Sequence, residues 1–178
     1  TIFVICTSAS YSVGWVACSS YQVSILEFCR IDSLWLFIDE VYERLYYEGN
    51  VAPSILRKCD RNDAVIVVQS FSKSYCMTGW RLGWLVGRRD VASRASDLNE
   101  FVISHAPAMA QKAGEIALRE GEEILQKMVQ RLRNNLSFCQ KNLREIPGIT
   151  LPETSGSFYL FPKIDGLTDS FGFCKDLL

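Results

Sequence analysis

Residues 64–87 read AVIVVQSFSKSYCMTGWRLGWLVG. An apolar run, Ala64–Val68, gives way to hydroxyls, a lysine, an arginine flanked by glycines, and a second apolar run. Such a run, without polar alternation, predicts a strand covered on both faces, as in a parallel sheet. Ligands of these sheets gather beyond the carboxyl ends of the strands. Lys73 therefore stands where a buried strand would deliver a functional group, a place that solubility alone does not call for.

Outward from this stretch, Ile2–Ile5 (IFVI), Leu34–Ile38 (LWLFI) and Leu82–Gly87 (LGWLVG) read as further strands. The segment VSILEFCR reads as a short helix between the first two. Its β-α-β order predicts an α/β fold with a mostly parallel sheet covered by helices. Past Asp90 the chain turns helical. Leu125, Met128, Leu132, Leu136, Cys139, Leu143 and Ile146 recur every three or four residues, the stripe of one long helix bridging two bodies. PGITLPETSGSFYLF then supplies turn residues and a strand that open a smaller unit. The expected division is 1–120, 121–146 and 147–178.

The first thirty residues hold only two charges, Glu27 and Arg30, although 22% of the chain is charged. A helix linking two strands should carry a charged face. SASYSVGWVACSSYQ has none, so this stretch is either deeply buried or not the sequence that such a fold normally uses.

Bulk properties narrow the classes. A chain of 178 residues buries roughly 70% of its unfolded surface, enough for a core without staples. A net charge of −1 without a basic stripe argues against nucleic acid as partner. No apolar run approaches the ~18 residues of a membrane span, and no signal peptide is evident. The seven cysteines form no C-x-x-C pair, and the one histidine, His105, has no ligand-spaced neighbour, so no metal site is expected. Scattered cysteines, odd in number, fit a reducing, cytoplasmic setting, most of them as small buried hydrophobes. A start at Thr1 and a close on FCKDLL, like an unfinished helix, suggest a fragment.

Two strands bring polar residues to the carboxyl edge. LWLFI runs into DEVY, giving Asp39 and Tyr42; AVIVV runs into QSFSK, giving Ser70, Ser72 and Lys73; Arg81 follows. An amine, a carboxylate, a phenol, hydroxyls and a guanidinium are the parts needed to hold pyridoxal phosphate. Lysine ordinarily titrates near 10.4, so imine formation needs desolvation or nearby positive charge. Arg81 suits a forked contact with phosphate, assisted by Ser70 and Ser72. Asp39 facing a pyridine nitrogen at ~4 Å would attract it by about 4 kcal/mol at an effective dielectric of 20, which keeps the ring cationic and able to stabilise a carbanion. Tyr42 could hydrogen-bond the ring oxygen.

Taken singly, these signals have bland explanations. A DE pair after a strand is usually a solvated loop, a Ser–Lys turn is common, and Arg81 could serve a structural ion pair. Glu40 and Glu43 are expected at the surface, His105 at a helix end or pocket wall, and Trp35, Trp80 and Trp84 in packing. The coincidence of two strands ending in complementary pieces favours a cofactor site. No G-x-G-x-x-G or G-x-x-x-x-G-K-[ST] follows any strand, which disfavours a nucleotide-binding domain.

LFIDEVYERLYYEG, SFSKSYCMTGWRLGWLVG and SGSFYLFPKI together resemble the fold-type I pyridoxal-phosphate aminotransferases of class I/II, the aspartate-aminotransferase-like group. The resemblance covers about Ile25–Ile164. It implies a Schiff base on Lys73, which also transfers the proton, with Asp39 on the pyridine nitrogen and Tyr42 on the ring oxygen. Ser70 and Arg81 would be phosphate ligands and Ser72 a weaker one. It further implies amino-acid and 2-oxo-acid substrates, a homodimer, and residues 1–120 as part of the cofactor-binding large domain. The family's Asn-Pro-Thr-Gly turn is replaced by YSVG, with Tyr11 at the asparagine position and Gly14 retained, as though segment 7–22 were a local misreading. Its glycine-rich phosphate turn and its carboxylate-binding arginine fall outside these residues, which implies an incomplete copy with little or no turnover alone. A carbon–sulfur lyase or decarboxylase on the same scaffold, and a non-catalytic remnant, are the rival readings.

Overall fold

A computed structural model describes residues 2–7 and 14–178. The position of Tyr11 lies outside them. The elements are β1 (Phe3–Thr7), α1 (Ser19–Ile31), β2 (Trp35–Asp39), β3 (Val65–Ser70), α2 (Phe71–Ser74), β4 (Gly83–Gly87), α3 (Arg89–Val102), α4 (Ala108–Glu120), α5 (Glu122–Arg144), β5 (Ile149–Thr150), β6 (Lys163–Ile164) and α6 (Ser170–Asp176). Strands β1 to β4 form one sheet in chain order. β1, β2 and β3 run parallel, and β4 returns antiparallel to β3. The protein is thus α/β with a mostly parallel sheet, as the β-α-β pattern predicts.

Register sorts the sheet into two faces, because alternate residues of a strand point opposite ways. Val4, Cys6, Leu36, Ile38, Val65 and Val67 share one face. They pack with Leu26 and Cys29 of α1 and with Ile55 in a continuous core. Phe3, Ile5, Phe37, Ile66 and Val68 share the other, and none of them enters a described core cluster. Phe3 and Ile5 are exposed. The expectation of strands covered on both faces fails at β1, which has one neighbour and one covered side among the described residues.

Two smaller clusters support the loops beyond the sheet. Tyr42 and Leu45 pack against Leu125 and Val129 of α5. Phe71, Met77 and Leu82 pack against Ala113 and Ala117 of α4. Helix α5 places Glu122 and Glu123 in its first turn and Lys141 and Arg144 in its last, charges that complement the helix dipole. It ends at Arg144, so Ile146 of the apolar stripe lies beyond it. In 147–161 the strand is reduced to Ile149–Thr150, which pairs with Lys163–Ile164.

Helix α1 starts at Ser19, earlier than VSILEFCR implies. The charge-poor stretch is mixed where it is described: Gly14, Ala17 and Gln22 are buried, whereas Trp15, Cys18, Ser19, Ser20 and Tyr21 are exposed. The cysteines are free, and only Cys29 is buried, so most are not core hydrophobes. Trp84 packs edge-on to Phe71 and Trp35 lies under Arg88, while Trp80 is exposed rather than packed.

Candidate active site

The site is assembled where β2 and β3 end side by side. Asp39, the last residue of β2, pairs with Val68, two residues before β3 closes at Ser70. Ser70 then caps a four-residue helix carrying Lys73, its Oγ accepting from Ser72 N at 3.0 Å. Such a cap satisfies a donor that the short helix would otherwise leave unpaired. The helix is seated by Phe71 on the α4 cluster. Asp39 Oδ1 accepts from Val41 N at 2.9 Å, closing the turn that presents Tyr42.

Lys73 Nζ lies 5.8 Å from the ring centroid of Tyr42 and 5.4 Å from that of Phe158, within cation–π range of both. Tyr42 is 1% exposed. Its ring meets Phe158 edge-on at 5.5 Å and Tyr159 at 6.3 Å. Phe158 is held there by backbone bonds from distant segments. Ser157 N donates to Leu45 O at 2.7 Å, and Tyr47 Oη donates to Ser157 O. Ser155 N and Gly156 N donate to Gly14 O at 2.9 and 3.2 Å. Gly14 has φ +67°, and a Cβ there would collide with Thr154. The glycine is thus required both by its conformation and by the close approach of this loop.

The hydroxyls and Arg81 form a second group. Ser70 Oγ donates to Ser72 Oγ at 2.9 Å, Thr78 Oγ1 donates to Ser72 O at 3.2 Å, and Arg81 Nη1 donates to Thr78 O at 2.8 Å. Arg81 is exposed and takes a left-handed backbone, φ 52° and ψ 47°. A non-glycine residue there costs about 1–2 kcal/mol, strain of the kind that accumulates at functional sites. Of the six residues singled out in the sequence, Lys73 and Tyr42 touch, and Ser70, Ser72 and Arg81 share one hydrogen-bonded turn. Asp39 lies at the same sheet edge, paired with Val68 two residues before Ser70. His105 is exposed just past the end of α3.

The expectation that Glu40 and Glu43 lie at the surface is wrong. Glu40 is 1% exposed and accepts from Ser54 Oγ at 2.8 Å, Ile55 N at 3.1 Å and Gln69 Nε2 at 3.3 Å. Glu43 is half-buried and accepts from the same Gln69 nitrogen at 2.9 Å. Burial pushes both carboxyls above the ordinary glutamate value. The bonds from Ser54, Ile55 and Gln69 oppose the rise at Glu40, whereas the charge of Glu40 adds to it at Glu43. Sequence reasoning missed Phe158, Tyr159 and Gln69. The signals present were paired aromatics after Gly-Ser and an amide closing an apolar run.

Residues 1–177 match the family "Aminotransferase class I and II". An aspartate aminotransferase of Bacillus subtilis is 30% identical over 175 residues, covering 98% of this chain and 44% of the enzyme. One from Pyrococcus horikoshii is 33% identical over 136 residues, or 75% of this chain and 34% of its own. Among solved structures, the aspartate aminotransferase of Thermotoga maritima superposes with a TM-score of 0.90 at 30% identity, covering all of this chain and 46% of that one. An aminotransferase from Mycobacterium tuberculosis gives 0.90 at 32%, covering 99% and 46%. The chain thus spans less than half the length of the relatives it matches, and by motif, fold and family match it belongs to the class I and II aminotransferases.

Proposed function

We propose that these residues form the cofactor-anchoring part of a pyridoxal-phosphate-dependent transaminase that moves an amino group between an L-amino acid and a 2-oxo acid. The observation that carries this reading is the Lys73 amine held over the buried Tyr42 ring at the carboxyl edge of β2 and β3. When bound, pyridoxal phosphate supplies an aldehyde to receive the amino group and a pyridinium ring to store the electron pair released at the α-carbon. The donor set fits that group. Arg81, Ser70 and Ser72 offer a guanidinium and hydroxyls to the phosphate. Asp39 offers a carboxylate to the ring nitrogen, and Tyr42 a phenol to the ring oxygen. Lys73 would hold the aldehyde carbon through its amine, and that amine, once free, would take the α-proton as base and return it as acid.

For the whole protein the reading extends to a cytoplasmic homodimer, with residues 1–120 in the cofactor-binding domain, 121–146 as the bridging helix and 147–178 in a second, smaller domain. Among the described residues no helix is long and apolar enough to cross a membrane. This chain alone is expected to show little or no turnover.

The test is chemical. The chain is mixed with pyridoxal 5′-phosphate, reduced with borohydride and mapped by mass spectrometry. The label is expected on Lys73, and Lys73→Ala should abolish it. No label, or equal labelling of several lysines, overturns the assignment. In the complete protein, aspartate with 2-oxoglutarate should yield the paired oxo and amino acids; release of sulfide from cysteine, or of carbon dioxide from aspartate, without amino transfer to 2-oxoglutarate would indicate a lyase or decarboxylase instead.

A further inference from the structure

Two carboxylates that take no part in the chemistry above lie beside it, with one amide between them. Glu40 follows Asp39 and Glu43 follows Tyr42, while Gln69 directly precedes Ser70. Gln69 Nε2 donates to Glu40 Oε2 at 3.3 Å and to Glu43 Oε2 at 2.9 Å. The backbones carrying these residues stay together only briefly. Pairing of β2 with β3 ends at Asp39 and Val68, followed by a last bond from Glu40 N to Val68 O at 3.0 Å. Beyond that point one segment turns through Tyr42 and the other enters the helix of Lys73. Two hydrogen bonds that span the gap are those from Gln69.

The surroundings keep this amide in place. Glu40 is also fixed by Ser54 Oγ and Ile55 N, so its carboxylate is tied to a third segment. A buried carboxylate lacking donors is costly, and a hydrogen bond to a charged group is stronger than a neutral one. Turning the Gln69 side chain away would leave Glu43 without that donor and put two carboxylates side by side without an amide between them.

We propose that Gln69 is a positioning residue: by bridging Glu40 and Glu43 it sets the spacing between the Asp39–Tyr42 turn and the Ser70–Lys73 helix, and with it the place of the Lys73 amine over the Tyr42 ring. This rests on the reading of those two segments as a cofactor site. Gln69 touches no reacting atom in that reading. It acts through the residues on either side.

The experiment compares the chain with its Gln69→Leu variant, which removes both bonds at similar bulk. Three readouts are taken: affinity for pyridoxal 5′-phosphate, the pH midpoint of the bound cofactor's absorbance band, and hydrogen exchange at 40–44 and 70–74 without cofactor. Expected are at least a tenfold loss of affinity, a displaced midpoint, and faster exchange in both segments together. Unchanged affinity and midpoint overturn the proposal, as does faster exchange confined to 70–74. Should Gln69→Leu not fold, Glu43→Gln and Gln69→Asn, which weaken one arm or shorten the reach, are read in the same way. If the unmodified chain takes up no cofactor, the Lys73 reading fails by itself, and exchange alone decides: joint acceleration upholds the bridge, and no change removes it.

Discussion

The two faces of the sheet are built from the same kinds of residue and end in different environments. Leu36 and Val67 on one face are 0% exposed, whereas Ile5 on the other is 77% exposed. Both faces read as uninterrupted apolar runs. The difference comes from what packs on them: α1 and the turn at Ile55 cover the first, and no described cluster includes the second. An apolar run shows that a segment can be buried on both sides; it carries no information on whether a neighbour arrives. The two edges beyond the strand ends also differ. The carboxyl edge holds Lys73, Tyr42 and the hydroxyl turn, while the opposite edge forms an open groove with Asp60, Arg61, Arg88 and Arg89 along it.

The largest effect expected from the comparison is in stability. Leu36→Ala should cost about 2–5 kcal/mol, as core truncations do, and Ile5→Ala about 0.5 kcal/mol or less, as at ordinary surface sites. Phe37→Ala, half-buried on the uncovered face, should fall between them. Urea unfolding of the three variants measures this. Equal costs at Leu36 and Phe37 would break the asymmetry.

The next test moves from faces to ends. Strand β4 carries glycine at both limits, each facing a β3 carbonyl. A Cβ on Gly83 would stand 2.5 Å from Gln69 O, and one on Gly87 3.2 Å from Val65 O. Backbone cannot yield as a flexible side chain does, so Gly83→Ala should destabilise by about 1–3 kcal/mol, as overpacking does. Gly87→Ala should cost visibly less. Because Gln69 adjoins Ser70, Gly83→Ala should also weaken cofactor uptake; loss of stability without loss of uptake would separate the strand pair from the site.

These contrasts show what could be read from the residues and what could not. β2 and β3 were legible because an apolar run closing on DEVY or QSFSK marks a buried strand meeting a polar edge. The turn at Tyr42 and the short helix at Lys73 follow from local rules, an Asx turn and a serine cap. Phe158 was not legible as a neighbour of Lys73. It reaches the site through bonds that its neighbours donate to Gly14 O and Leu45 O and accept from Tyr47, partners far along the chain that no spacing rule connects. Glu40 was misread for a related reason. A glutamate after a strand is normally solvated, and here its burial depends on donors from Ser54, Ile55 and Gln69, which only the folded arrangement brings together.

The smallest effect concerns charge, and it contrasts the carboxylates beside the site with those at the surface. Glu43 is held above the ordinary glutamate value of 4.5, burial being the main cause and the charge of Glu40 the next. The folded chain therefore retains a proton that the unfolded chain releases, so this group's stabilising contribution is full below about 4.5 and is lost as pH rises through the raised value. Asp63 behaves in the opposite sense. Its bonds from Arg30 lower it below 3.8, and its contribution is lost only as pH falls through the lowered value. Glu43→Gln should thus flatten the decline of Tm above pH 4.5, by about 2 °C or less at neutral pH, and leave the acid limb alone. Asp63→Asn should change the acid limb and leave the neutral side parallel to wild type. Some slope must remain in Glu43→Gln because Glu40 is raised by its own burial. If the profile of Glu43→Gln runs parallel to wild type across the whole range, the half-buried carboxylate is solvated in practice, and the electrostatic difference between site and surface does not exist.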